Sequence, residues 1–485
     1  MTTSMLPSVL NLVDGEWLSG TESLEVRNPA DTRDLVATVP SMDARAVHAA
    51  FEAAERAAAI WRDTSQIDRG RVLLRAAQLM RDRHSELSRT LTREMGKTLG
   101  EANAEVAKAA DFLEFYGGLG RSERGIVLPH ENPEVISWTV HEPLGVVLAI
   151  TPWNDPLLTP ARKVAPALIA GNSVVLKPAS YTPVIAIELA RVLHDAGLPP
   201  GVLNTVTGVG SRIARALVAH PALKAVSFTG SNDVGYSLKA SLAERNVHLL
   251  AELGGKNAAI VLADADLEQS VASIAAAAFA QAGQRCTATS RVLVQRDVLD
   301  QVRDGLVRAA QRHVLGSGLD PGISMGPLVS PAQRESVKGF IERAIANGAV
   351  RATAPAEAPH DHGCFVTPTV LTGVDPSMEI WTEEVFGPVV ALVAFDTLDE
   401  AIHLLNASKY ALAAALYTSD LDAAHTFAAR ADVGQVGVNL PTSGWDVHMP
   451  FGGFKDSGTG HKEQGLAGLD FYRKTKTVAI RRRAR

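Results

Sequence analysis

The chain has 485 residues, 46% hydrophobic and 21% charged, with a formal net charge of −6 and two cysteines. That balance is ordinary for a soluble globular protein and offers nothing to recruit nucleic acid or an anionic membrane. Cys286 and Cys364 lie far apart, which excludes a disulfide framework and a CxxC metal site, so no metal is expected.

One hydrophobic core rarely grows past roughly 250–300 residues, so the length predicts two or three domains. The first residues, MTTSMLPSVLNLVDGEW, lack a basic segment followed by an apolar one, and no apolar run reaches the roughly 18 residues of a membrane span. With so few cysteines, this predicts a cytoplasmic protein. Residues 44–117 carry apolar side chains at three- and four-residue spacing and read as helical. The β-branched alternation of Val135–Val140 predicts a strand.

From there short apolar runs alternate with alanine-rich helical segments. GVVLAI (145–150) is followed by a helix over 157–170, SVVLKPA (173–179) by 183–196, and AVSFTG (225–230) by 233–245. AAIVLAD (258–264) leads to 267–282 and then SRVLVQ (290–295); GPVVALVAF (387–395) leads to 398–405 and then AAALYT (413–418). Strand–helix–strand units at this spacing predict parallel sheets and an α/β fold with two domains. The stretch 348–365, GAVRATAPAEAPHDHGCF, reads as a surface excursion with Cys364 as filler at its end. The closing RRRAR (481–485) reads as a solvated tail or, less simply, a basic binding patch.

Ligands of open parallel sheets bind beyond the carboxyl ends of the strands, and several motifs fall there. TPWN (151–154) puts Asn154 where its amide could donate to an oxyanion or merely cap a helix. LKPAS (176–180) places Lys177 for a phosphate or ribose hydroxyls, or as a solvated charge. FTGSNDVG (228–235) sets Gly230 and Ser231 at a helix N-terminus, which suits a phosphate but also an ordinary tight turn. In ELGGKN (252–257), Glu252 is a general base if buried, or a surface carboxylate. In QAGQRC (281–286), Cys286 is a nucleophile if its thiolate is stabilised, or a small buried hydrophobe. Together, nucleophile, base, oxyanion amide and phosphate turn compose a site for covalent oxidation of a carbonyl carbon.

With those motifs in place, the chain resembles the NAD(P)-dependent aldehyde dehydrogenase superfamily nearly end to end. The likeness runs through LVDGEW, VRNPA, TPWN, AGNSVVLKPAS, PPGVLNTVTG, FTGSNDVG, ELGGKN, GQRC, EEVFGP and PFGGFKDSG. It implies a Rossmann-like nucleotide-binding domain (1–123 and 143–252), an α/β catalytic domain (253–455), and a small β oligomerisation element with the C-terminal segment (124–142 and 456–485). It further implies Cys286 as nucleophile, Glu252 as the base that activates the hydrolytic water, Asn154 with the Cys286 backbone N–H as oxyanion donors, and Lys163 with Glu463 as a proton relay. The implied cofactor residues are Thr151, Trp153, Lys177, Ser180, Gly230, Ser231, Leu253, Glu384 and Phe386. A homodimer or homotetramer is the family habit.

Two departures bear on specificity. Ser180 stands where many NAD-specific members carry a glutamate that repels a 2′-phosphate, so NADP is expected to be accepted beside NAD, with the preference between them open, unless the serine is merely tolerated in an NAD enzyme. Asp155 stands where an aromatic residue usually lines the substrate tunnel. Arg162 follows seven residues later, on the same face of a helix, and either meets a substrate carboxylate or is satisfied by Asp155. Arg285, Thr287, Trp445, Asp446 and His448 complete a substrate set most like that of the α-ketoglutarate semialdehyde dehydrogenases. The expected substrate is a small polar or acidic aldehyde, a semialdehyde or a sugar-derived aldehyde. A CoA-acylating relative is disfavoured by Glu252, which serves hydrolysis, and a non-catalytic protein by the presence of every reactive group.

Overall fold

The computed structural model describes residues 9–482 apart from 21, 124, 356 and 357. The first eight residues, two positions of the 348–365 excursion, one position of the expected oligomerisation element and the last three of RRRAR therefore lie outside the described residues.

The helical stretch beginning at residue 44 is four helices: α1 (Ala44–Asp63), α2 (Gln66–Asp82), α3 (His84–Met95) and α4 (Leu99–Gly118). Hydrophobic period alone does not reveal the breaks, because caps make them. Ser65 accepts from the Asp68 N–H at the start of α2, Gly96 ends α3 with φ of +94°, and Thr98 and Glu101 form a reciprocal capping box on α4.

Two sheets follow. The first has five parallel strands in the spatial order His248–Glu252, Leu223–Thr229, Val146–Ile150, Ser173–Lys177 and Leu203–Thr205. They are joined through α5 (Leu158–Ala170), α6 (Pro183–Asp195), α7 (Gly210–Ala219) and α8 (Asn232–Leu242). The strands are almost entirely buried on both faces, as helices on both sides require. The chain builds outward from Val146–Ile150, then returns to lay Leu223–Thr229 on its other side. That reversal opens a crevice between the carboxyl ends of these two strands, where ligands of such sheets bind.

The second sheet has seven strands, ordered Val350–Arg351, Thr369–Thr372, Val389–Phe395, Thr289–Gln295, Asn257–Val261, Ala413–Tyr417 and Gln435–Val438, with only the first pair antiparallel. The four-residue link 253–256 joins the last strand of the first sheet to the centre of the second. Helices at Leu299–Gln311, Pro331–Ala346 and Leu421–Arg430 complete the second layer. Residues 354, 355 and 358–362 of the 348–365 stretch are exposed, as a surface excursion requires, and Cys364 at its end is buried filler in this core, its backbone bonding to Pro29 and Leu328.

A third, antiparallel sheet pairs Val135–Pro143 with Arg473–Arg481 along their full lengths and adds Val127–Leu128. It exposes Ile126, Val127, Ile136 and Ile480. Among the described residues no helix is long and apolar enough to cross a membrane.

Candidate active site

A cavity of ≈ 540 Å³ opens where the two sheets meet, and Asn154, Leu253, Cys286, Glu384 and Phe386 all line it. Cys286 follows a short 3-10 turn in which Gln281 and Ala282 take left-handed φ of 52° and 54°, an uncommon conformation for residues with a Cβ. The segment is held rather than relaxed. The Asn257 side-chain amide donates to the carbonyls of Cys286 (2.7 Å) and Ala288 (2.9 Å), and its own carbonyl accepts the Ala413 N–H at 3.0 Å. Thr442 Oγ1 donates to the Thr287 carbonyl at 2.7 Å. At Gly255 a Cβ would stand 2.5 Å from the Cys286 carbonyl, so the nucleophile segment lies as close as it does only because that position is glycine.

Glu252 ends a strand of the first sheet and is 2% exposed. Its Oε2 accepts the Gly453 N–H at 3.3 Å, while Oε1 has no hydrogen-bond partner among the described residues. Burial first, then the nearby Glu463 carboxylate, raise its pKa well above the ordinary carboxyl value. A carboxyl raised this way is a stronger base once it has lost its proton. Lys163 on α5 is fully buried, pairs with Glu463 and donates to Ser227 Oγ at 3.1 Å. The structure thus brings Glu252, Lys163 and Glu463 into one charged group behind the cavity. Asn154, 6% exposed, has only a marginal 3.5 Å contact from its amide to Asp155 Oδ2.

Burial pushes the Cys286 thiol up to about 12, and the cation that draws it down most is Arg162. Arg285, the sequence neighbour of the nucleophile, lines the same cavity but acts on Asp155 instead. It has no carboxylate within 4 Å among the described residues.

The expected Asp155–Arg162 relation does not form. Asp155 lies before α5 begins, so helical spacing does not put the two on one face. Its carboxylate meets Lys97 Nζ (3.3 Å) and Gln281 Nε2 (2.9 Å), and Lys97 and Arg285 together hold it below the ordinary carboxylate range against the upward push of burial. Arg162 instead sets its Nε 2.8 Å from Glu463 Oε2, stacks over the Phe451 ring at 5.1 Å, and lines the cavity. With the Gln464 amide turned to suit its neighbours, its carbonyl accepts from Arg162 Nη1 at 3.2 Å. Thr287 and Trp445 line the cavity; His448 does not, being exposed at 3.6 Å from Asp446 Oδ2. Lys97, Glu105, Asn257, Gln281 and Gln464 escaped the sequence reading. Only Asn257 and Gln281 carried a signal, by lying in the ELGGKN and QAGQRC motifs.

The crevice between the sheet's central strands fits a dinucleotide. The buried hydroxyls of Thr151 and Thr229, at the carboxyl ends of those strands, have no partner among the described residues. Ser231 begins α8 without capping it through its side chain, which leaves first-turn N–H groups facing the cavity edge with Gly230. Trp153 and Phe386 meet edge to face at 5.2 Å on the cavity wall. Burial raises Glu384 to about 7, and its Oε1 accepts the Gly255 N–H at 2.9 Å. Lys177 is buried with no carboxylate beside it; its Nζ donates to the adjacent Pro178 carbonyl at 2.8 Å, and burial lowers it to about 8. Ser180 donates to the Gly208 carbonyl at 3.0 Å.

The aldehyde dehydrogenase family model matches residues 17–478. An alpha-ketoglutarate semialdehyde dehydrogenase of Haloferax volcanii is 41% identical, over 96% of this chain and 98% of that one. An alpha-ketoglutaric semialdehyde dehydrogenase of Bacillus subtilis is 37% identical over 97% and 98%. Among solved structures, a betaine aldehyde dehydrogenase of Staphylococcus aureus in complex with NAD+ superposes with a TM-score of 0.94 at 33% identity, over 97% of this chain and 94% of that one.

Two measurements follow from these pKa directions. A thiol held near 12 implies that alkylation of the cofactor-free enzyme at Cys286 by iodoacetamide accelerates about tenfold per pH unit from pH 7 to 10; a plateau near pH 8 would contradict it. The folded Lys177 value, about 8, lies below the ~10.4 of a free lysine. The cost of that buried charge is therefore full below pH 8 and relieved as pH rises toward 10. Lys177→Met is expected to raise the Tm of the cofactor-free enzyme at pH 7, with a smaller gain at pH 9.5, and to weaken cofactor binding; a lowered Tm at pH 7 would refute the strain.

Proposed function

The chain belongs to the aldehyde dehydrogenase family, whose members oxidise aldehydes with NAD(P), and from that premise we propose that it converts a small acidic semialdehyde to the dicarboxylic acid through Cys286. The observation that carries the reaction is the meeting of Cys286 and Asn154 at one cavity, with Leu253 and Gly254, which directly follow the buried Glu252, in its wall. Cys286 Sγ adds to the aldehyde carbon, and the Asn154 amide holds the oxyanion, a contact usually worth about 3–4 kcal/mol. A nicotinamide cofactor held by the residues named below would supply the hydride acceptor, and Cys286 would then carry the acyl group as a thioester. Glu252 takes a proton from water, the resulting hydroxide releases the acid, and the Lys163–Glu463 pair carries the proton away. Arg162 stabilises the thiolate by its charge.

The acidic-substrate reading rests on two cations in the cavity wall. Among the described residues Arg285 forms no salt bridge and acts on Asp155 only through its charge, and Arg162 shares Glu463 with Lys163. A substrate carboxylate would supply the missing anion, whereas a quaternary ammonium aldehyde would face like charge. Thr287 and Trp445 shape the remaining wall.

For the cofactor, Lys177 and Glu384 would bind ribose hydroxyls, Ser231 and Gly230 the pyrophosphate, and Thr151, Trp153, Leu253 and Phe386 the surrounding walls. With Ser180 in place of a carboxylate and Lys177 unpaired, the site takes NADP as well as NAD. Residues 1–123 and 143–252 would form the nucleotide-binding domain and 253–455 the catalytic domain. Segments 124–142 and 456–485, whose sheet exposes Val127 and Ile480, would join subunits in a homodimer or homotetramer.

Glu252→Gln is expected to give a stoichiometric burst of reduced cofactor and then a slow steady rate, and Cys286→Ala neither, while both still bind cofactor. Full steady turnover by either variant removes that residue from its role. In a panel run with both cofactors, kcat/KM for α-ketoglutarate and succinate semialdehydes is expected to exceed that for butanal and betaine aldehyde. Arg285→Gln should cut the preference roughly 10- to 100-fold, the scale of one charged hydrogen bond. Equal efficiency with butanal sinks the acidic reading, and a strong preference for NAD sinks the NADP reading.

A further inference from the structure

Behind Asn154 lies a cluster of buried charge that no step above uses. Lys97, immediately before α4, has a fully buried side chain. Its ammonium directs its three donors at the Glu105 carboxylate, at Asp155 Oδ1 (3.3 Å) and at the Asn154 main-chain carbonyl (2.8 Å). Glu105, about two turns further along α4, accepts with its other oxygen from the N–H groups of Leu157 (2.9 Å) and Leu158 (3.0 Å). It thereby caps α5, whose own N-cap residue, Leu157, has no side chain able to do so. Asp155 passes the connection on, accepting from Gln281 Nε2 at 2.9 Å, while the Gln281 N–H donates to Glu101 Oε1 at 2.6 Å.

One end of α4 therefore grips both the turn that carries the oxyanion amide and the left-handed turn that leads to the nucleophile. These two turns come from different sheets and share no direct backbone hydrogen bond among the described residues. We infer that Lys97 is a positioning residue for the oxyanion step, fixing the Asn154 main chain so that its amide faces the carbon held on Cys286. Glu105 holds the start of α5, and Asp155 ties the bracket to the nucleophile turn. Asp155 on this account is part of the scaffold, matched to Lys97, not a contact to substrate. A misplacement of about 1 Å at such a group costs up to roughly a hundredfold in rate.

The inference rests on Asn154 as the oxyanion donor, and Asn154→Ala alone tests that premise: hydride formation in single turnover should slow about 100- to 1,000-fold. A double-mutant cycle tests Lys97 itself, read with succinate semialdehyde and with uncharged propanal as control. Lys97→Met is expected to slow hydride formation roughly 10- to 100-fold in the wild-type background but no more than about twofold in the Asn154→Ala background. The cofactor Kd and the alkylation rate of Cys286 should stay as in the wild type. A role confined to neutralising buried carboxylates predicts the same loss in both backgrounds, with alkylation falling in parallel, and that outcome overturns the inference. If Lys97→Met does not fold, Lys97→Met with Asp155→Asn removes one charge of each sign and leaves Glu105 its two N–H partners; the cycle is then run on that pair and read the same way.

Discussion

The four-residue link 253–256 joins the edge of one parallel sheet to the centre of another, and the chemistry depends on how closely the two strand ends can approach there. Glu252 sits at one end of the link and Asn257 at the other. Asn257 spends its amide on the carbonyls of Cys286 and Ala288 and its carbonyl on the Ala413 N–H. This side chain therefore sews the nucleophile segment to two strands of the second sheet. Without side chains at Gly254 and Gly255, the Glu384 carboxylate and the Cys286 carbonyl fit against the link. A bulkier link would push Glu384 and Cys286 away from it.

Burial governs the electrostatics of this junction. Burial moves Cys286, Glu252 and Glu384 toward their protonated forms and Lys177 toward its neutral form. Charge that must persist is paired: Lys97 with Glu105 and Asp155, and Arg162 and Lys163 with Glu463. Breaking one member of such a group strands its partner in a dry interior, so these clusters are as consequential for folding as for rate. Arg285 is the contrast, a cation on the wall that forms no salt bridge among the described residues and meets Asp155 only through its charge.

Much of this was legible in the chain itself. Alternation of apolar runs and alanine-rich segments marked both parallel sheets, because strands buried on two faces must be continuously apolar. The motifs TPWN, LKPAS, FTGSNDVG, ELGGKN and GQRC marked strand ends. What failed was what depends on breaks and on distance. The helical stretch from residue 44 gave no period at its three interruptions: Ser65 caps the first, the second falls at Arg83 without a side-chain cap, and Gly96 and Thr98 bound the third. The seven-residue spacing of Asp155 and Arg162 suggested a pair, yet α5 starts after Asp155 and each side chain found a partner far along the chain, Lys97 and Glu463. Arg285 stood next to the nucleophile, yet the cation that tunes the thiol most is Arg162, over a hundred residues earlier.

The sequence by itself determined the family and the parallel-sheet architecture, and it singled out Cys286, Glu252 and Asn154 as the proposed nucleophile, base and amide, because those depend on local pattern: period, turn chemistry and short motifs. Only the tertiary structure decided which charges pair, which cation reaches the thiol, and that Lys97 and Glu105 stand behind the oxyanion amide. Those outcomes turn on distances of about 3 Å between residues far apart in the chain, and Coulomb and hydrogen-bond energies depend on that separation, not on spacing along the sequence.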